Sequence, residues 1–119
     1  MESNQMGGTV QKLVLYFSRH ITPEHIEALK SSIGHDIKII QIKHRISSVN
    51  EIYKRVVEYD ADEVVAVLPK WMYVQYLSFH DEIVLPKPIR IVTRRNDDGD
   101  LVFNNFERVV AFDLITSKL

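Results

Sequence analysis

The chain has 119 residues, enough for one folded core and too few for two. Its 45% hydrophobic and 26% charged residues are the balance of a globular protein, and 16 acidic against 15 basic side chains argue against a basic coat for long nucleic acid. The absence of cysteine excludes disulfides, thiolate catalysis and Cys-ligated metals, and favours a reducing, cytoplasmic setting.

Met1 to Gln11 is polar and contains Gly7-Gly8. It lacks the basic-then-apolar pattern of a secretory signal and reads as a flexible leader over 1–11, ahead of one domain over 12–119. No apolar run approaches the roughly 20 residues that cross a bilayer. Lys12 to Phe17 is nearly all apolar, as a strand buried on both faces requires. A helix follows, with Thr22 as N-cap and Pro23 at the first helical position. Ile26, Leu29 and Ile33 form its apolar stripe, and Gly34 supplies a left-handed stop. Ile37 to Ile42 is a β-branched strand. Ser48-Val-Asn-Glu51 reads as a capping box opening a second helix, buried through Val49, Ile52, Tyr53, Val56 and Val57 and closed by 59–62.

Glu63 to Leu68 is the clearest central strand, and Pro69 ends it. Trp71 to Phe79 is aromatic and apolar, the pattern of a short buried helix; residues 81–88 form a loop. Ile89 to Thr93 is a fourth strand, Asn96-Asp97-Asp98-Gly99 is turn chemistry, and Leu101 to Phe103 and Glu107 to Ile115 suit further strands. Alternating strands and helices predict an α/β fold. It is a small Rossmann-like, mainly parallel sheet with helices on both faces and antiparallel strands at its C-terminal end.

Ligands of open parallel sheets bind beyond the carboxyl ends of the strands. Strand one delivers Ser18, Arg19 and His20 there. Strand two delivers Lys43, His44 and Arg45, strand three Pro69, Lys70 and Trp71, and strand four Thr93, Arg94 and Arg95. These stretches hold six of the fifteen Lys and Arg side chains and no carboxylate, so a positive edge sits on a near-neutral chain. Clustered cations repel unless something neutralises them; phosphate suits Arg, Lys and helix N-termini, and Trp71 can stack a base. The competing reading is ordinary exposed strand ends, some paired with Glu51, Asp81 or Glu82.

Other constellations are weaker. His20 and His25 lack further ligands for a metal and read as surface histidines. Asp60, Asp62 and Glu63 sit at the opposite end of the sheet and read as a solvated turn. Neither a G-x-G-x-x-G nor a G-x-x-x-x-G-K follows the first strand, and no G-x-S-x-G occurs, so dinucleotide, P-loop and serine-hydrolase chemistry are disfavoured. No metal and no cofactor is expected.

Leu15-Tyr-Phe-Ser-Arg-His20, Ile21-Thr-Pro-Glu-His-Ile26 and the strand end Val65-Ala-Val-Leu-Pro69 before an apolar helix resemble one family. They are similar to the small stand-alone CRISPR-associated Rossmann-fold (CARF) proteins of type III systems. The likeness covers these stretches and the order of elements, with no distinctive match after Asp81. It implies binding of cyclic oligoadenylate, most often the four-membered ring, and either cleavage as a ring nuclease or sequestration. It places Ser18, Arg19, His20 and Lys70 in the ligand loops. Cleavage would use the ligand's own 2′-OH and no metal. Arg19 and Lys70 would stabilise charge, Ser18 would hold ribose or phosphate, and His20 would orient the 2′-OH or act as acid or base, with His44 in reserve. Lys43, His44, Arg45, Trp71, Thr93 and Arg94 are expected to bind the ligand. A homodimer is expected to join two such edges in one composite pocket, through Trp71 to Phe79 or Val109 to Ile115. A non-catalytic sensor or sponge, and a protein-interaction module without small ligand, are the alternatives.

Overall fold

The computed structural model of the chain describes residues 11–78 and 85–110. The elements are β1 (Lys12–Phe17), α1 (Pro23–Ile33), β2 (Ile37–Ile42), α2 (Val49–Tyr59), β3 (Glu63–Ala66), α3 (Lys70–Ser78), β4 (Pro88–Arg95) and β5 (Leu101–Arg108). They build one five-stranded sheet in the order β2-β1-β3-β4-β5. The first four strands are parallel, and β5 returns antiparallel to β4. This is the expected Rossmann-like α/β architecture. The expected leader lies outside the described residues. Among the described residues, no helix is long and apolar enough to cross a membrane.

Alternation along β1 divides the interior into two clusters, because successive side chains point to opposite faces of a strand. Leu15 and Phe17 point to one face, where Val49, Ile52 and Val56 of α2 and Met72 and Tyr76 of α3 cover them. Val14 and Tyr16 point to the other, where Leu29 of α1 and Ile89 of β4 cover them. Helices therefore cover both faces, and β1 is apolar after exposed Lys12 because the rest of the strand is covered on both sides.

The caps follow the sequence, with two local differences. Thr22 caps α1 through its hydroxyl, and Pro23 follows it. Gly34 ends α1 at φ 123°, a positive-φ conformation outside the left-handed helical region expected. Ser48 caps α2 by accepting from the Glu51 amide, but Glu51 reaches back past it to the amide and hydroxyl of Ser47. That bond fixes the chain one residue ahead of the helix.

The third and fifth strands differ from expectation. β3 stops at Ala66, two residues before Leu68, because the Ala66 carbonyl accepts the Tyr73 hydroxyl of α3. Leu101 to Arg108 is one strand, where the sequence suggested a break after Phe103. The cause is a β-bulge: Val92 faces Asn105 and Thr93 faces Phe103, leaving Asn104 as the extra residue. The bulge restores Phe103 to the face that Phe106 occupies, although a regular strand would set residues three apart on opposite faces. The two rings pack 5.1 Å apart. Val109 and Val110 lie past the strand, and 111–115 lie outside the described residues.

The carboxylates at the far end of the sheet are structural. Asp62 accepts the Leu13 amide at 2.8 Å. Glu63 is buried, so the solvated turn read there is corrected: Arg108 grips it with both terminal nitrogens, at 2.9 and 3.3 Å.

Candidate functional site

β1, β2 and β3 end together, with Phe17 level with both Ile42 and Ala66. The chain leaves β1 for β2 on one side and approaches β3 on the other, so the loops diverge and a crevice opens between them. This cleft encloses about 840 Å³, within the usual range for small-molecule sites.

Its walls differ in chemistry. Ser18 and Arg19 after β1, with Lys43, His44, Arg45 and Ser47 from the β2–α2 loop, make one wall of hydroxyls and cations, in which the apolar Phe17 and Ile46 also take part. Val67, Leu68, Pro69, Trp71 and Met72, from the end of β3 and the start of α3, make an apolar one. Met72 is buried, whereas Trp71 and Val67 are 59% and 60% exposed at the mouth. Val57, Leu101 and Val110 are exposed to the same degree elsewhere, so the position of Trp71 and Val67 at the cleft, not their exposure, bears on ligand contact.

The cationic wall is braced through main chain. Arg19 Nε donates to the Lys43 carbonyl at 3.3 Å, and the Gln41 side-chain amide donates to the Ser18 carbonyl at 2.9 Å. Each of the two loops therefore supplies a carbonyl to a side chain of the other. Arg19 spends only Nε on this tie. Its two terminal nitrogens have no partner among the described residues, and no carboxylate pairs with Arg19, Lys43 or Arg45 there. The Ser18 hydroxyl accepts the His20 amide at 3.2 Å, which turns the chain after β1.

Glu51, in the first turn of α2, follows this wall in the chain. It accepts the Ser47 amide and hydroxyl, and the Ser47 amide bond chiefly holds its pKa below the ordinary value, with His44 adding a smaller electrostatic contribution. It acts as a brace at the helix start and forms no salt bridge to the cleft cations.

Six of the ten side chains expected at the site line this cleft: Ser18, Arg19, Lys43, His44, Arg45 and Trp71. His20 and Lys70 adjoin lining residues in sequence but do not line it. Thr93 and Arg94 are elsewhere. Val65 of β3 pairs with Ile89, so β4 runs about 13 Å beyond the level of Ala66 before reaching Arg94. Both residues are exposed on the β4–β5 hairpin, and strand-end position alone could not reveal how far that strand overshoots. Ser47 and Gln41 were missed. Gln41, the uncharged polar residue among the isoleucines of β2, is the signal that could have exposed its brace.

His25 also departs from its reading as a surface side chain, being only 8% exposed. Its Nδ1 accepts the Thr22 amide at 3.0 Å, which completes the capping box of α1. Its ring packs edge-on to Phe103 at 4.5 Å and lies 6.0 Å from Phe106 and 6.5 Å from Tyr16. Among the described residues, no group of three or more His, Asp or Glu side chains gathers to hold a metal ion.

No family model, no curated protein and no solved structure matches the chain.

Proposed function

We propose that the cleft binds a nucleotide polyanion, specifically cyclic oligoadenylate with cyclic tetra-adenylate as the preferred ring, and cleaves it without a metal. The observation that carries this reading is the division of the cleft: hydroxyls, and cations that meet no carboxylate among the described residues, on one wall, and mainly apolar side chains with an exposed tryptophan on the other. A nucleotide has the matching halves, a phosphate for Arg19, Lys43 and Arg45 and a flat base for Trp71. The resemblance of the β1 and β3 motifs to the CARF proteins supplies the cyclic, adenine-specific form. In that role the protein would work in the cytoplasm and switch off type III CRISPR signalling.

The ligand carries its own nucleophile. A ribose 2′-oxygen attacks the adjacent phosphorus, the bond from phosphorus to the 5′-oxygen breaks, and the ring opens to a linear adenylate with a 2′,3′-cyclic phosphate and a 5′-hydroxyl. The 2′-proton passes to a base, and the departing 5′-oxygen takes up a proton. Arg19, with its terminal nitrogens open to the cleft, stabilises charge on the phosphoryl oxygens. His44, as a lining imidazole, takes the acid–base role ahead of His20. Ser18 and Ser47 are placed to hold ribose or phosphate oxygens.

Because neither His20 nor Lys70 lines the cleft, the non-catalytic reading, a sensor or sponge using the same contacts, is the second one. Incubation with cyclic tetra-adenylate, with and without EDTA, followed by chromatography and mass spectrometry separates the two. Linear products bearing a 2′,3′-cyclic phosphate in both arms support cleavage. Intact, retained ring supports sequestration, and loss of cleavage with EDTA overturns the metal-free mechanism. Absence of any thermal shift with the ring overturns the nucleotide reading and favours an interaction module. Light scattering tests the proposed homodimer; a monomer with and without ring overturns it.

A further inference from the structure

The capping box of α1 contains an unusual member. The residue three positions into such a helix is ordinarily Glu or Gln, whose side-chain oxygen accepts the N-cap amide at any neutral pH. Here it is His25, and an imidazole accepts through Nδ1 only while neutral with its proton on Nε2. The Thr22 amide donates to Nδ1 at 3.0 Å, and the Thr22 hydroxyl oxygen accepts the His25 amide and lies 2.9 Å from Nδ1. Protonation of Nδ1 would leave Thr22 Oγ1 as a partner but set two N–H donors against each other at the Thr22 amide.

Thr22 lies three residues after Arg19, at the end of the turn that begins at Ser18. We propose that His25 is a positioning residue for the 18–22 loop, holding it in its cleft-forming shape while neutral and releasing it when protonated. The link to ligand rests on the cleft reading above; the link to fold does not.

The surroundings favour the neutral form. Burial is the largest influence, lowering the His25 pKa below its ordinary 6.5; His20 acts in the same direction, and Glu24 opposes them. From β1 the ring faces Tyr16, whose own pKa burial pushes up to about 12, so it stays uncharged. From β5 it faces the uncharged rings of Phe103 and Phe106, which the Asn104 bulge brings to the same side. A base with a lowered folded-state pKa stabilises the fold fully above its unfolded value, and that stability is lost as pH falls from about 6.5 toward the folded value.

This gives affinity an unexpected sign. Acidification ordinarily strengthens anion binding by adding positive charge to a protein, whereas release of the loop weakens it.

The test compares wild type with His25→Gln, which keeps an acceptor at the usual capping-box position but cannot titrate. Between roughly pH 8 and pH 5, wild type is expected to lose about 3–6 °C more in Tm than the variant, the shift of one lost cap in a chain of this size. Equal losses overturn the proposal. Nitrogen-15 imidazole shifts on wild type give a second readout that needs no variant to fold. An Nε2–H tautomer titrating below 6.5 supports it, and an Nδ1–H tautomer, or titration at or above that value, overturns it. With cyclic tetra-adenylate as probe, wild-type affinity is expected to fall about threefold or more on acidification while His25→Gln holds or gains. Parallel affinity curves overturn the loop coupling. Absence of binding by either protein at every pH overturns the cleft reading and the affinity link with it, while the tautomer and Tm results still decide the role of His25 in the cap.

Discussion

Arginines at two places in this molecule have opposite surroundings. Along β4 and β5, Arg90, Arg95 and Arg108 each find an acceptor, whereas Arg94, exposed on the hairpin, has none among the described residues. Arg90 bonds Glu107 directly across the strand pair, Arg95 donates to the Gly99 carbonyl that closes the hairpin, and Arg108 clasps buried Glu63 while also donating to the Lys87 carbonyl. At the carboxyl ends of β1 and β2, Arg19 gives one nitrogen to a main-chain carbonyl, and neither it nor Arg45 meets a carboxylate among the described residues. Arg90 and Arg108 are neutralised by carboxylates of the fold. Arg19 and Arg45 are left for something outside it and, unlike exposed Arg94, line one cleft.

Substitutions sharpen the contrast. Arg19→Ala is expected to weaken binding of cyclic tetra-adenylate roughly ten- to hundredfold, as for a lost charge-assisted hydrogen bond, with little change in Tm. Isothermal calorimetry beside a melting curve checks this; a large Tm loss with unchanged affinity would place Arg19 with the structural group. Arg108→Ala is expected to do the reverse. It strands the Glu63 carboxylate, 11% exposed, at a cost of about 2 kcal/mol, below the fully buried value because Arg108 itself is 39% exposed. Urea denaturation measures that loss, and ligand affinity of the folded fraction should not move.

Smaller effects probe the edges of the comparison. Trp71→Ala should cost about tenfold in affinity for the adenylate ring and leave binding of inorganic phosphate unchanged, because stacking engages only the base. Loss of both would assign Trp71 to the shape of the cleft. Arg90→Ala should lower stability by only about 0.5 kcal/mol, since both members of that pair are nearly half exposed. Equilibrium unfolding that shows more than twice this would mean that cross-strand register depends on the pair.

Fold and site were legible in the sequence to different depths. Thr22-Pro23 and Ser48 mark their helix starts through local hydrogen bonding that depends on few other residues, and unbroken apolar runs mark strands covered twice. The convergence of Ser18, Arg19 and 43–45 followed from the general geometry of parallel sheets. Quantities set by pairing were hidden. The overshoot of β4 depends on its register with β3, so Thr93 and Arg94 could not be separated from the cleft in advance. The Asn104 bulge sets Phe103 and Phe106 on one face at a spacing of three, which in a sequence matches a helix and not a strand. Burial of His25 depends on that same bulge. The Arg108–Glu63 pair joins residues 45 apart, beyond the reach of any local motif.

The reciprocal ties between Gln41 and Ser18 and between Arg19 and Lys43 bear on rates as well as shape. Loops already fixed to each other lose little conformational freedom when an anion enters between them, so the entropy of ordering them is incurred during folding. Association should then be a simple bimolecular encounter, quickened by the positive wall and slowed by added salt, with no lag for rearrangement. Ligands that differ only in base or ring size would share that entry step and be told apart by how long they stay.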